Sequence, residues 1–243
     1  MNNTLNILSI DFDYFQDIPD ESILTCYPDG HDFSTELSKI IWSNAYAYSK
    51  TANKIKSVNI MQSELNAAKA IINNTDPYAP NWIVNSHVHI YDAVKNARLS
   101  HPDADIHIYN IDMHHDCFAY AKTLTCGNWA LHVMKDFDVS VTWVTTPIGL
   151  KMCPPPDVLN NHILTSINDI PVKDFDVIFL CRSDIWLPPH LDCYFEELRQ
   201  CMTNSFVTSF TDGQVSEPRD IQPLIDSLQQ ITWKGAPLCQ LQK

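Results

Sequence analysis

The residues best suited to chemistry fall in three short groups. The first is Tyr109-Asn110-Ile111-Asp112-Met113-His114-His115-Asp116, where an apolar run ends in a D-x-H-x-D triple. Side chains alternate along extended chain, so Asp112, His114 and Asp116 are expected on one side, offering two carboxylates and an imidazole to one point. That set suits Mn²⁺, Zn²⁺ or Fe²⁺, and the lack of thiolate argues against a structural zinc site. The second group, Ile7-Leu8-Ser9-Ile10-Asp11-Phe12-Asp13-Tyr14-Phe15, ends another apolar run with two carboxylates spaced by two. Placing two like charges together is costly unless a cation compensates them. The third, Val84-Asn85-Ser86-His87-Val88-His89-Ile90-Tyr91-Asp92, offers His87, His89 or both, and six of the ten histidines fall between His87 and His115. Taken singly, each group has a plain alternative: a helix-capping aspartate, a turn, a half-buried histidine. Taken together, they hold what a dinuclear centre needs, carboxylates to bridge and terminate and a histidine for each ion.

These groups must be positioned by a scaffold, and the rest of the chain describes one. Apolar β-type runs recur at Leu5 to Ile10, Trp82 to Val84, Asp105 to Ile111, Val139 to Val144 and Val177 to Cys181. Helical patterns lie between them. Ser34 to Ser49 carries Phe33, Leu37, Ile40, Ile41 and Ala45 at spacings of three and four, with Asp32 or Ser34 as N-cap. Further helices are expected at Ser57 to Asn73, Tyr91 to Leu99, Asn128 to Asp136 and Leu191 to Cys201. This alternation implies an α/β domain with a mainly parallel sheet flanked by helices, over residues 1–203. Pro154-Pro155-Pro156 and Pro188-Pro189 mark loops. Residues 204–243 read as a polar tail that packs on the domain or on a neighbouring subunit.

Composition narrows the function. Of 243 residues, 16 are Lys or Arg and 29 Asp or Glu, a net charge of −13, which disfavours nucleic acid and anionic membranes as partners. With 5 glycines there is no Gly-rich phosphate loop. No apolar run approaches the ~20 residues of a membrane span, and the N-terminus lacks the basic flank and apolar core of a secretory signal. A cytoplasmic protein is expected, its eight scattered cysteines reduced and mostly in the core.

The three groups resemble the ureohydrolase family of arginases and agmatinases, in which D-x-H-x-D, D-x-D and a single histidine hold two Mn²⁺ ions, with Zn or Fe as possible substitutes. The resemblance implies Asp112, His114, Asp116, Asp11, Asp13 and His87 as ligands, and a three-layer arginase/deacetylase-like α/β fold. Thr125-Cys126-Gly127-Asn128-Trp129 is similar to the Ser-Gly-Asn segment of arginases, which implies Asn128 as a substrate contact. Two features depart from the family pattern. D-x-D stands at the N-terminus instead of late in the chain, which implies a circular permutation, and the proline that closely follows it in arginases is missing. Ile-Asp-Phe-Asp-Tyr-Phe with D-x-H-x-D and Asn-Trp is closest to a divergent arginase-like group that includes peptide arginases, which convert arginine in a ribosomally made precursor peptide to ornithine. That implies hydrolysis of the guanidinium to ornithine and urea, with Asp116 as proton shuttle, His132 or His89 as further acid/base groups and Glu36 as the guanidinium partner. Asp184, which follows the Val177 to Cys181 run, is expected to line the substrate entrance or else to start a turn. Relatives are commonly oligomeric, so a homo-oligomer is a further expectation. Two alternatives stay open: a deacetylase-like amidohydrolase with one Zn²⁺, and a non-catalytic peptide-binding subunit.

Overall fold

Each of the five apolar runs becomes a strand of one sheet. The computed structural model describes residues 4–28, 32–172, 174–202 and 217–232. Its strands are β1 (Thr4–Asp11), β2 (Gln16–Asp17), β3 (Asn59–Ile60), β4 (Asn81–Val84), β5 (Asp105–Ile111), β6 (Ser140–Val144), β7 (Ile163–Leu164) and β8 (Val177–Cys181). The helices are α1 (Thr35–Ala47), α2 (Ser49–Ile55), α3 (Gln62–Asn74), α4 (Ile90–Ser100), α5 (Trp129–Phe137), α6 (Pro147–Met152), α7 (Asp192–Gln200) and α8 (Gln222–Thr232). The main sheet has the order β4-β8-β1-β5-β6-β7 and every pairing in it is parallel. The expected α/β class with a parallel central sheet is therefore the observed one.

Such a sheet is stable only if both faces are covered, and the strand sequences divide accordingly. In β1, Leu8 and Ile10 face a core built with Leu65 and Ile72 of α3 and Phe195 and Leu198 of α7. Leu5 and Ile7 face the opposite core, with Val94 of α4 and Trp129 and Val133 of α5. Helices, sheet and helices form three layers. All five residues of β8 are buried, as a central parallel strand requires.

The expected helices form with shifted ends. Ser34 caps α1, its hydroxyl accepting from the Leu37 amide at 3.3 Å, which leaves Asp32 to another role. The Ser57 to Asn73 pattern starts late because Asn59–Ile60 pairs antiparallel with β2 first, so α3 begins at Gln62. Part of the expected tail is a helix: Ile221 and Ile225 pack on Trp42 and Tyr46 of α1. Of 204–243, residues 217–232 are described, and 204–216 and 233–243 lie outside the described residues. Among the described residues seven cysteines are free thiols; of these Cys117, Cys153 and Cys181 are buried and Cys193 is exposed, so fewer of them are core residues than expected. Among the described residues no helix is long and apolar enough to cross a membrane.

The topology fixes where a site can form. From β1 the chain crosses to β4 on one side of the sheet and then to β5 on the other, leaving a crevice at the carboxyl ends of the central strands. Ile10 lies level with Ile111, and Asp11 with Cys181, so three strands deliver their following residues to the same place.

Candidate metal centre

All six expected ligands meet in that crevice. His87 Nδ1 lies 3.1 Å from Asp11 Oδ2, 3.2 Å from Asp112 Oδ2 and 3.1 Å from Asp116 Oδ2. None of these oxygens sits where a ring N–H would point, so Nδ1 is a buried nitrogen without a hydrogen-bond partner. The other ring nitrogen, Nε2, is engaged by Ser9 Oγ at 2.8 Å. His114 Nδ1 lies 3.0 Å from Asp13 Oδ2 and 3.7 Å from Asp112 Oδ1. Two sets result, Asp11 with His87 and Asp112, and Asp13 with Asp112 and His114, each with its ligand atoms within 4.8 Å of one another. These groups could hold a metal ion, and one oxygen donor residue, Asp112, belongs to both sets. The unpartnered Nδ1 fits that chemistry, because a metal-binding imidazole presents one bare nitrogen to the ion while the other is hydrogen-bonded.

The convergence has a different local cause from the alternation inferred above. β1 ends at Asp11 and β5 at Ile111, so Asp13, His114 and Asp116 lie beyond extended chain. Instead each leading aspartate accepts the amide two residues on: Asp13 N donates to Asp11 Oδ1 at 3.3 Å and His114 N to Asp112 Oδ1 at 2.8 Å. Such turns fold the following ligand back toward the first. Asp116 sits in the left-handed region at φ 49°, a conformation aspartate tolerates better than most residues, and Trp129 Nε1 donates to its Oδ2 at 2.5 Å. His87 reaches over the end of β8, stacked on Phe179 at 5.6 Å, with Trp129 on its other side at 5.0 Å.

The cluster is short of positive charge, and its titration shows it. Burial, with Asp11 and Asp112 adding to it and His114 opposing, raises the Asp13 pKa to about 7. Burial and then the Asp112 charge push Asp116 well up. Burial also acts to raise Asp112, but His114 and His87 outweigh it and hold that carboxyl below the usual range. For His87 and His114 burial acts downward and the surrounding carboxylates win, so both imidazoles are held protonated well above their ordinary pKa. Protons here do what a bound cation would do better.

A cavity of about 490 Å³ opens above these groups, with Phe118, Tyr120, Leu124 and Trp186 in its walls and no Lys or Arg among its described lining residues. Gly127 lets the wall close, since a Cβ there would stand 2.5 Å from the Tyr120 hydroxyl. Asp32 also lines the cavity. The residue is exposed, its carboxylate accepts the Ser86 hydroxyl, and the protein around the carboxyl raises its pKa by desolvation. It belongs to neither ligand set.

The other expected site residues lie elsewhere. Glu36 is exposed in the first turn of α1, where a carboxylate complements the helix dipole, and does not line the cavity. His89 ends a 3-10 turn that begins at His87, and about 120° of rotation per residue turns it away from the cavity that His87 lines. His132 is half-buried on α5, one turn past Asn128, and also lies outside the lining. Asn128 is buried and structures the cavity wall: its side chain accepts from Thr125 N and donates to the carbonyls of Ala121 and Thr123. Asp184 is buried against Arg182 and Thr35, while its neighbours Ser183 and Trp186 line the cavity.

Four residues with a place at the site were not singled out from sequence: Ser9, Asp32, Trp129 and Ser183. Ser183 Oγ donates to Asp11 Oδ2 at 2.5 Å. Ser9 could have been found, because it precedes Asp11 by two on one strand face. Asp32 was legible only as a helix cap. Compared with known proteins, the chain matches no family model, no curated protein and no solved structure.

Proposed function

We propose that this protein is a metal-dependent hydrolase that converts the guanidinium of an arginine residue within a peptide to ornithine and urea, using two Mn²⁺ ions. The observation that carries the reading is the pair of ligand sets sharing Asp112, beside a cavity whose described lining residues include no Lys or Arg. Bound there, the ions would supply Lewis-acid activation of water. The reaction joins a water oxygen to the guanidinium carbon and breaks that carbon's bond to the side-chain nitrogen. Asp116, which lies beside both ligand sets with its Oδ2 3.1 Å from His87 Nδ1, takes the water's proton and returns it to the leaving amine. Asp32 is the carboxylate best placed to receive the planar guanidinium, in the role that the family resemblance gave to Glu36. Phe118, Tyr120 and Trp186 line the same cavity, and aromatic side chains there suit a cation. A peptide is favoured over the free amino acid because free arginine brings an α-carboxylate, and the charged residues of the cavity lining are all aspartates or histidines. On this reading the N-terminal D-x-D is a circular permutation of the family order.

The test is mass spectrometry and urea detection after incubating Mn²⁺-loaded protein with an arginine-rich peptide and, separately, with free arginine. Arginine turning to ornithine in the peptide, with one urea per event, is the expected result. Turnover of free arginine alone would make this a metabolic arginase. Absence of urea from both, with one Zn²⁺ per chain, would replace the proposal by an amidohydrolase, and tight peptide binding without turnover by a binding subunit.

A further inference from the structure

Residues 217–221 lie far along the chain from every metal ligand, and among them Arg219 and Ile221 are buried. The Arg219 side chain is fully buried and all five of its N–H groups have acceptors. Nε donates to Asp192 Oδ2 at 2.8 Å and Nη2 to Asp192 Oδ1 at 2.6 Å, a bidentate pair on the first residue of α7. Nη1 donates to Ser38 Oγ of α1 at 3.1 Å and to the Asp184 carbonyl, and Nη2 donates to the Leu187 carbonyl at 2.7 Å. The two carbonyls flank the turn that brings Trp186 to the cavity wall.

We infer that Arg219 is a positioning residue for the metal centre, its guanidinium fixing the turn through which Ser183 orients Asp11. The inference rests on the metal-binding reading. Ser183 holds a left-handed backbone at φ 52°, which a serine keeps only when its surroundings impose it. Arg182 and Asp184 bracket it with a two-point ion pair, Nε to Oδ1 at 2.5 Å and Nη2 to Oδ2 at 3.1 Å. Trp42 Nε1 and Ser38 Oγ add to Arg219 on the Asp184 carbonyl, each at 2.9 Å. At the end of this chain of contacts the Ser183 hydroxyl reaches Asp11 Oδ2, the oxygen that faces His87. A planar fork sets the spacing of two carbonyls as a lysine ammonium cannot.

Coupling is reciprocal, so Mn²⁺ bound at the centre must steady the clamp that shapes it. Hydrogen exchange read by mass spectrometry on the unmodified full-length protein, with and without Mn²⁺, should show protection at 183–187 and also at 217–225. Protection around His87 and Asp112 that leaves 217–225 unchanged would overturn the inference. No protection anywhere would remove the metal reading, and the inference with it. Arg219→Lys and Ser183→Ala then trace the route. Each is expected to weaken Mn²⁺ binding by about 10-fold, within the range for groups that orient metal ligands, and the double variant no more than the stronger single one. Wild-type Mn²⁺ affinity in folded Arg219→Lys, or full additivity in the double variant, would place Arg219 outside the metal centre.

Discussion

Two buried clusters of carboxylates lie on either side of the turn at Ser183, and they are balanced in opposite ways. On one side Asp184 and Asp192 are met by Arg182 and Arg219, equal numbers of opposite charges with short bonds between them. On the other Asp11, Asp13, Asp112 and Asp116 have only His87 and His114 for company. A buried ion pair that carries its own counter-charge is complete as it stands. Four buried carboxylates with two imidazoles are not, and burial together with the neighbouring carboxylates raises the pKa of Asp13 and Asp116. The contrast separates an acid cluster that carries its own counter-charge from one that could hold a metal ion.

The sharpest way to break that contrast is to remove one carboxylate from each side. Asp112→Asn takes the residue common to both ligand sets. It should lower Mn²⁺ affinity and urea production by more than the roughly 100-fold seen for groups outside the ligand shell, while leaving the fold intact because the isosteric asparagine keeps an oxygen to accept the His114 amide. Retention of both ions and of full turnover would sink the metal reading. Asp192→Asn should do the reverse, costing about 3–5 kcal/mol in denaturant unfolding because the Arg219 charge is left buried without its partner. An unchanged unfolding midpoint there would show that Arg219 is not held as an ion pair.

The two clusters should also respond to pH with opposite sign. In the metal-free fold the Asp13 carboxyl has a pKa of about 7 against an ordinary 3.8, so its contribution favours the fold below 3.8 and is lost as pH rises through 7. His87 and His114, with pKa values raised by the carboxylates against the effect of burial, act in the same direction. Asp184 is opposite: burial works upward, but Arg182 and Arg219 prevail and lower it, so its contribution is present above the ordinary value and lost in acid. Mn²⁺ should therefore raise the Tm more at about pH 8 than at about pH 6, since fewer protons have to be displaced. Thermal scans of the loaded and chelated protein at both pH values check this. A Mn²⁺-induced shift that is equal at both, or larger in acid, would mean that the ion binds elsewhere.

A smaller effect is expected from Asp32, which lines the same cavity but belongs to neither ligand set. Asp32→Asn should leave Mn²⁺ binding near wild type and raise KM for the peptide by about 10-fold, the loss of one charge-assisted contact of roughly 1.5 kcal/mol. Steady-state kinetics beside a Mn²⁺ titration separates the two roles. Loss of metal with unchanged KM would reassign Asp32 to the ligand shell.

The sequence signal was strong where chemistry and periodicity coincide. Asp11, Asp112 and His114 stand at the ends of apolar runs, and the runs themselves became β1 and β5 with little change in bounds. The convergence of the carboxylates was foreseen, but its cause was not, because aspartate-to-amide turns leave no periodic trace. Partners distant in sequence were less legible still. Ser183 meets Asp11 from 172 residues away, and Arg219 meets Ser38 from 181. Such pairs follow from strand order, which depends on which crossover each connection takes and not on any local spacing.

Glu36 and Asp32 complete the comparison at its small end, because the charge is the same and only the placement differs. Glu36 sits on the exposed side of the first turn of α1, where solvent surrounds its carboxylate and the helix N-terminus attracts it. Neutralising it gives up that attraction alone. Glu36→Gln should therefore shift stability by no more than about 0.5 kcal/mol and leave kcat, KM and Mn²⁺ affinity within error of wild type. The reason is placement: a carboxylate that water already solvates and that lies outside the cavity lining adds little to the field in the cavity. A KM that rises as far as for Asp32→Asn would return Glu36 to the role of guanidinium partner and would require α1 to turn its first residues toward the cavity when substrate binds.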